Sequence, residues 1–130
     1  MIDAELNNRI LKLAPIYAVS NNAPNSFETL AASPSLVVWS GASDRTIYGA
    51  PNVNWAFRAW HDSLHLKLNA PFSLEGETRV ALEQCRLIGS DTWAKIVMGE
   101  VVGQTEYFNK YGTFPADQVA FMINYLKGIV

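Results

Sequence analysis

The chain has 130 residues, a formal net charge of −2 and a hydrophobic fraction of 49%. This length predicts a single domain over 1–130 with a hydrophobic core, and the composition excludes a disordered chain. The ten lysines and arginines are scattered along the sequence, so the basic surface that holds nucleic acid non-specifically is not predicted.

Cysteine usage and hydropathy predict the compartment. Cys85 is the single cysteine and cannot form an intramolecular disulfide, which favours a reducing environment. The first residues lack the basic start and apolar run of a signal peptide, and no segment approaches the roughly 20 apolar residues that span a bilayer. We therefore predict a cytoplasmic protein without membrane association, whose oligomeric state the sequence does not indicate.

Short elements are predicted in the N-terminal half. Residues 3–13 have the spacing of an amphipathic helix, with Asp3 as its N-cap and Pro15 after its end. The segment 20–34 is rich in Asn, Ser, Ala and Pro, which predicts a mobile loop, with Phe27 and Leu30 as the candidates for pinning it to the protein. Two β-prone runs, 36–40 and 45–49, predict a β-hairpin across the residues between them.

The C-terminal half is predicted to be helical. Apolar periodicity predicts helices over 53–68, 73–88 and 91–111, with Ser73 as a cap and Gly112 as a stop signal. Pro115 predicts the first turn of a last helix that ends near 127. The expected fold is mainly α (α+β), a four- to five-helix bundle with a small N-terminal β-hairpin.

The two histidines of the chain, His61 and His65, stand four residues apart. On a helix this spacing places both imidazoles on one face, within reach of a single metal ion. The alternative is a pair of histidines at the edge of the core, hydrogen-bonded to a carboxylate or to the backbone. For a metal, the nitrogen ligands favour zinc or iron over magnesium or calcium.

Carboxylates and amides also fall on apolar helix faces. A helical wheel places Glu77 and Gln84 on the apolar face of 73–88, and Glu100 and Gln104 on the apolar face of 91–111. Tyr111 lies on the same face of 91–111 and is expected in the core. A buried carboxylate is costly unless it is paired, protonated or bound to a metal. The glutamates are therefore expected either as metal ligands or as charge partners, and the glutamines as hydrogen-bonding groups beside them.

The short turn at 69–73 predicts that the first two long helices are antiparallel neighbours. This arrangement brings Glu77 close to His65 and Gln84 towards His61. The predicted metal ligands are therefore His61, His65 and Glu77, with Glu100 as a fourth ligand or as a neighbour of the ligand set.

Two carboxylates, Asp62 and Glu100, are the candidates for catalysis. Asp62 follows His61 at the place where His-Glu-x-x-His metallopeptidases carry their general base, but its shorter side chain reaches less far towards a metal-bound water. The alternative for Asp62 is a surface carboxylate or a partner for Arg58. With a metal bound, the expected chemistry is attack of an activated water on an ester, amide or phosphoester.

Three stretches carry a resemblance: NWAFRAWHDSLH at 54–65, FSLEGE at 72–77 and GTFPADQ at 112–118. They resemble segments of small uncharacterised proteins of tailed bacteriophages, and the resemblance would cover residues 36–127. It implies expression in the cytoplasm of an infected host, but no activity and no site residue.

Two non-enzymatic hypotheses are alternatives to the metal centre. One is a phage accessory protein that binds or inhibits a host protein, as the resemblance implies. The other is a purely structural role, in which the inward polar residues form a buried hydrogen-bond network that fixes the register of the bundle.

Overall fold

The computed structural model describes residues 3–128, which are mainly helical. None of the helices in this described range is long and apolar enough to cross a bilayer. The elements, in chain order, are α1 (Ala4–Leu13), β1 (Ala18–Ser20), α2 (Phe27–Ala32), β2 (Val37–Trp39), α3 (Pro51–Leu68), α4 (Leu74–Ile88), α5 (Asp91–Met98), a π-helical segment (Gly99–Gly103), α6 (Gln104–Tyr111) and α7 (Gln118–Leu126).

The β structure differs from the predicted hairpin. The two strands pair in parallel, with Ala18 opposite Val37, and α2 lies in the connection between them. Residues 45–49 form no strand. Residues 46–48 are all buried, whereas a strand at the edge of a core would point successive side chains to opposite faces. The Gly49 N–H closes a turn here by donating to the carbonyl of Thr46 at 3.1 Å. The hairpin prediction is therefore wrong.

A helix occupies part of the segment that was predicted to be a loop. The Ser26 side chain caps α2 by accepting a hydrogen bond from the Thr29 backbone N–H, and Leu30 is buried beneath the helix. Ser and Asn favour both loops and helix caps, so composition alone could not separate the two. The predicted loop thus contains a helix over Phe27–Ala32, and its mobility stays a prediction.

The long helices are present, with small differences at their ends. Pro51 stands in the first turn of α3, and the Ser73 side chain caps α4 by accepting from the Gly76 N–H. The α5–π–α6 rod ends at Gly112 with a left-handed φ of 77°. These bounds agree with the predicted helices to within about two residues.

The last helix begins later than predicted. The Asp117 side chain accepts a hydrogen bond from the Ala120 backbone N–H, so that α7 starts at Gln118. An aspartate cap satisfies one of the free N–H groups of the first turn, which a proline cannot do. The start predicted at Pro115 is therefore wrong, as is the predicted count of four to five helices.

The π-helical segment packs closely against α7. A Cβ on Gly99 would lie 2.7 Å from both Met122 Cε and Tyr125 Cδ1, and one on Gly103 would lie 2.9 Å from Tyr125 Cε2. A larger residue at either position would displace these side chains of α7, so glycine allows the closest approach. π-Helical turns are often associated with functional sites. The segment includes Glu100 and immediately precedes Gln104.

The core lies between α1, α3, α4 and the rod. Its largest fully buried apolar side chains are Tyr48, Ile10, Ile88, Met122, Val38, Val80 and Val97. Between α3 and α4, Asn69 adopts a left-handed conformation with φ of 51°, and Ala70 is fully buried. The turn is thus packed into the protein, which fixes the relative position of the two helices.

Gly76 is expected to be essential for this packing. An added Cβ would lie 1.9 Å from the carbonyl oxygen of Pro71, a backbone atom that cannot move without opening the turn. We expect Gly76→Ala to lower the free energy of unfolding by about 2 kcal/mol or more, measured by urea denaturation. Exposed Glu75 is the matched control, because Glu75→Ala should change this free energy by less than about 0.5 kcal/mol. Similar losses in both variants would contradict the prediction.

Candidate metal centre

His61, His65 and Glu77 converge between α3 and α4. Nε2 of His61 lies 2.9 Å from Oε1 of Glu77, and Nε2 of His65 lies 2.5 Å from the same oxygen. The two Nε2 atoms are 3.0 Å apart. Each of the three residues therefore contributes one potential ligand atom to a small triangle. These are the three residues that the sequence predicted as metal ligands.

The two helices position this triangle. The four-residue spacing places the imidazoles on successive turns of α3, with ring centroids 4.6 Å apart. The compact turn then reverses the chain, and Glu77 lies in the first turn of α4. The expected proximity of Glu77 to His65 thus follows from a short connection between antiparallel helices.

The other ring nitrogens have hydrogen-bond acceptors. Nδ1 of His65 lies 2.7 Å from the carbonyl oxygen of Ala70, which can only accept, so this nitrogen donates and neutral His65 has its lone pair on Nε2. Nδ1 of His61 lies 2.8 Å from Oε1 of Gln84 and donates in the same way. Metal-binding histidines have this arrangement, in which the outer N–H is donated to a fixed acceptor.

The triangle therefore brings together three atoms that carry lone pairs. Such atoms repel one another at 3 Å unless a cation lies among them. A proton on one Nε2, donated to Glu77, or a metal ion bound by all three atoms relieves this repulsion. The group could therefore hold a metal ion.

The ionisation of the cluster follows from its contacts. Burial raises the pKa of Glu77, but His61 and His65, when protonated at Nε2, donate hydrogen bonds to it and carry positive charge, which outweighs burial and lowers the pKa to about 2. Burial lowers the pKa of His61, but the hydrogen bond and charge of Glu77 outweigh it, so that this pKa is raised. Glu77 is therefore an anion across the physiological range.

Aromatic side chains close one side of the cluster. The ring of Phe72 packs edge-on against His65 with centroids 4.7 Å apart, and Phe27 of α2 packs on Phe72 at 6.2 Å. The His65 side chain has no exposed surface, whereas those of His61 and Glu77 are each 15% exposed. Access to the cluster is therefore through His61 and Glu77.

A cavity of about 320 Å³ lies beside these two residues. Its wall combines polar and charged groups with aromatic side chains. The lining includes Trp39, Phe57, Arg58, His61, Asp62, Glu77, Glu100, Gln104 and Phe114. The structure thus brings all the predicted site residues except His65 to one cavity, and His65 lies directly behind its wall.

Glu100 is positioned in this wall by the π-helical segment. Nε2 of Gln104 donates to Oε2 of Glu100 at 2.8 Å, while Oε1 is buried without a hydrogen-bond partner among the described residues. Burial raises the pKa of Glu100 to about 7, although the charge of Arg58 opposes this shift. Glu100 is not in the converging group, and its role as a fourth ligand stays a prediction.

Asp62 lines the cavity beside His61. Burial raises its pKa, and the charges of His61 and His65 oppose that shift. Asp62 makes no side-chain hydrogen bond to Arg58, whose Nη1 donates to the backbone carbonyls of Trp39 and Gly41. Its role as a general base stays a prediction.

Several functional contacts were missed by sequence reasoning. The acceptor for His65 is the backbone carbonyl of Ala70, which has no side-chain signature. Phe27 was a candidate for pinning the predicted loop, but its helix and its contact with Phe72 were not predicted. The π-helical turn had one available signal, two glycines four residues apart at 99 and 103, on the face that contacts α7.

Comparisons with known proteins give no assignment. No family model, no curated protein and no solved structure matches this chain. The resemblance to bacteriophage proteins therefore stays a prediction, and function is inferred from the geometry of the site.

The raised pKa of Glu100 predicts a pH-dependent stability difference. The folded state binds the proton more tightly, because the pKa rises from 4.5 to about 7 on folding. This stabilisation is complete below pH 4.5 and is lost as the pH rises through about 7. We expect the free energy of unfolding of wild type to fall by on the order of 2–3 kcal/mol relative to that of Glu100→Gln between about pH 5 and about pH 8.5, measured by urea denaturation.

The exposed Glu75 provides a control for this measurement. Glu75→Gln removes the same charge from the surface of α4 and should follow wild type across the range. If the stability of Glu100→Gln parallels that of wild type at both ends, the buried carboxyl does not titrate as described.

Proposed function

We propose that this chain binds one divalent transition metal ion, zinc or iron, through Nε2 of His61, Nε2 of His65 and a carboxylate oxygen of Glu77. The observation that carries the proposal is the triangle of three lone-pair atoms, each no more than 3.0 Å from the others. Each imidazole is also held by an acceptor at Nδ1, as metal ligands are. A hydrolytic, metal-dependent activity is the function that this site supports best.

The spacing of the donor atoms supports this proposal. In tetrahedral zinc sites, bonds of about 2.0–2.1 Å place neighbouring ligand atoms roughly 3.3 Å apart. The donors are 2.5 to 3.0 Å apart here, so binding requires them to separate by about 0.3 to 0.8 Å. Rotations of the three side chains would supply this change, with the largest movement between His65 and Glu77.

The number of ligands favours catalysis over a structural role. Structural zinc sites have four protein ligands, whereas catalytic sites commonly have three, with two histidines and one glutamate as a recurrent set. Within residues 3–128, the converging group has this composition. His61 and Glu77 line the cavity, which leaves room for water and substrate beside the metal.

Glu100 is suited to proton transfer in such a reaction. A metal ion held by the three ligands would lower the pKa of a bound water towards about 7 and make it a nucleophile. Glu100 has a pKa of about 7, close to that of an efficient acid–base group at neutral pH. We assign it as the proton donor to the leaving group, and Asp62 as the alternative base for the water.

Metal binding is the direct test of the proposal. Purified protein is expected to bind one equivalent of zinc, detected by elemental analysis and calorimetric titration, with iron and manganese as competitors. His65→Ala should weaken zinc binding by more than the 10–100-fold that is typical for loss of an outer partner, whereas Glu75→Ala should not. Absence of bound metal, or equal effects of the two substitutions, would reject the metal centre.

The same preparations separate catalysis from a structural network. Zinc-loaded protein should hydrolyse p-nitrophenyl acetate or bis(p-nitrophenyl) phosphate faster than metal-free protein, and His65→Ala should abolish the difference. If the cluster serves only to fix bundle register, the double substitution His61→Leu, Glu100→Leu should be neutral or stabilising, with no metal bound by wild type.

An exposed aromatic patch favours a second candidate, a non-catalytic accessory protein that binds or inhibits a host protein. Phe108 and Tyr111 are 42% and 57% exposed, and the rings of Phe108 and Phe114 lie 4.8 Å apart. Exposed aromatic patches often mark protein-binding surfaces. The sequence had placed Tyr111 in the core, and its exposure contradicts that expectation.

Affinity capture from bacterial lysate tests this second candidate. Wild type is expected to recover a specific partner that the double substitution Phe108→Ser, Tyr111→Ser loses, because the substitution removes the exposed aromatic rings. Neither residue lines the cavity, so zinc binding should not change. Leu82→Ser is the control, since Leu82 is 57% exposed on α4. Recovery of no partner, or equal recovery by both variants, would count against the host-binding role.

A further inference from the structure

We propose that Arg58 and Glu100 form a subsite that binds an anionic oxygen group of the substrate, a phosphoryl or carboxylate group, in the cavity beside the metal centre. The place of this subsite in catalysis rests on the proposed function. Its residues lie outside the converging group of His61, His65 and Glu77, so anion binding can be tested separately from metal binding.

Arg58 is anchored through one end of its guanidinium. Nη1 donates to the carbonyl of Trp39 at 2.5 Å and to that of Gly41 at 2.6 Å, and the guanidinium carbon lies 5.3 Å from the centroid of the Trp39 ring. Within the described range, Nε and Nη2 make no hydrogen bond. The edge formed by these two nitrogens is the fork that binds carboxylate and phosphate groups in a bidentate manner.

Arg58 also lacks a bonded counter-ion. Burial lowers its pKa, while the charges of Asp62 and Glu100 oppose that shift from a distance. No carboxylate of the described residues forms an ion pair with Arg58. A partly buried cation without a counter-ion is unfavourable, and an anion bound in the cavity would supply one.

Glu100 supplies a second donor when it is neutral. Its Oε2 accepts from Gln104, so the proton of the acid lies on Oε1, the buried atom that has no partner among residues 3–128. Because Oε1 has almost no accessible surface, this hydroxyl meets an acceptor oxygen of a bound anion after a rotation of the Glu100 side chain towards the cavity that it lines. Together with the free edge of Arg58, it selects an oxyanion over a neutral or cationic group.

The other titratable groups around Glu100 determine the net charge that a bound anion meets in the cavity. Asp62 and Glu77 line the same cavity and oppose an anion, while the side chain of Tyr48 is neutral because burial raises its pKa well above the usual value. A metal ion held by His61, His65 and Glu77 would offset the two carboxylates. Anion affinity should therefore be higher in zinc-loaded than in metal-free protein.

The experiment measures binding of dimethyl phosphate and of acetate to metal-free and zinc-loaded protein by calorimetry or NMR titration. Arg58→Met should weaken binding of the preferred anion by about tenfold or more, whereas Arg79→Met, an exposed substitution on α4, should not. Tighter binding of dimethyl phosphate indicates a phosphoryl substrate, and tighter binding of acetate indicates a carboxylate.

Glu100→Gln provides a second, independent readout. Both probes stay monoanionic between about pH 6 and pH 8, so a tenfold loss of wild-type affinity over that range is expected from deprotonation of Glu100. The glutamine variant should show no such loss from this position, so the ratio of wild-type affinity to variant affinity should fall about tenfold between about pH 6 and about pH 8. Parallel pH profiles for the two proteins would overturn the assignment of Glu100.

The outcomes separate this proposal from the metal centre. Zinc affinity of Arg58→Met should equal that of wild type, because Arg58 is not a ligand. If wild type binds no zinc, the metal centre fails while anion titration of metal-free protein still tests the subsite. If circular dichroism shows that Arg58→Met does not fold, Arg58→Lys decides, because it keeps the charge but loses the fork and should bind several-fold more weakly. Undiminished anion binding by a folded Arg58 variant would overturn the proposal.

Discussion

The carboxylate of Glu77, shared between two imidazoles, is the interaction on which the site depends. It crosses the interface of α3 and α4, so its geometry requires the compact turn at 69–73 and the close approach of Gly76 to Pro71. A largely buried carboxylate in this position needs partners that donate hydrogen bonds or carry positive charge. The same contact therefore joins the two helices and favours a proton or a metal ion between them.

The sequence was sufficient for this part of the molecule because its signals are local and agree with one another. A helical period, a Ser73 cap and a short connection together determine which faces of α3 and α4 meet. The contacts of Glu77 with His65 and of Gln84 with His61 then follow from side-chain position. Glu100 could be predicted near them only because it also lies on the apolar face of its helix, as Glu77 does.

Other features depend on contacts between residues that are distant in sequence. The parallel pairing of Ala18–Ser20 with Val37–Trp39 uses strands too short to show a clear alternation, and α2 is stabilised by burial of Leu30 rather than by composition. Helix and strand propensities are weak where tertiary packing decides. The anchoring of Arg58 by backbone carbonyls could not be predicted for the same reason.

The π-helical turn divides the rod into two parts whose side chains face in different directions. Each π turn accommodates one residue more than a regular α-helical turn, so the sequence after it is offset by about 100° relative to a straight helix. The apolar stripe of Trp93, Ile96 and Val97 consequently does not continue through Tyr111, which lies at the surface. One continuous rod thus presents two differently oriented faces. A single-residue deletion within Gly99–Gly103 would bring the faces of α5 and α6 into line by rotating α6 about the axis of the rod.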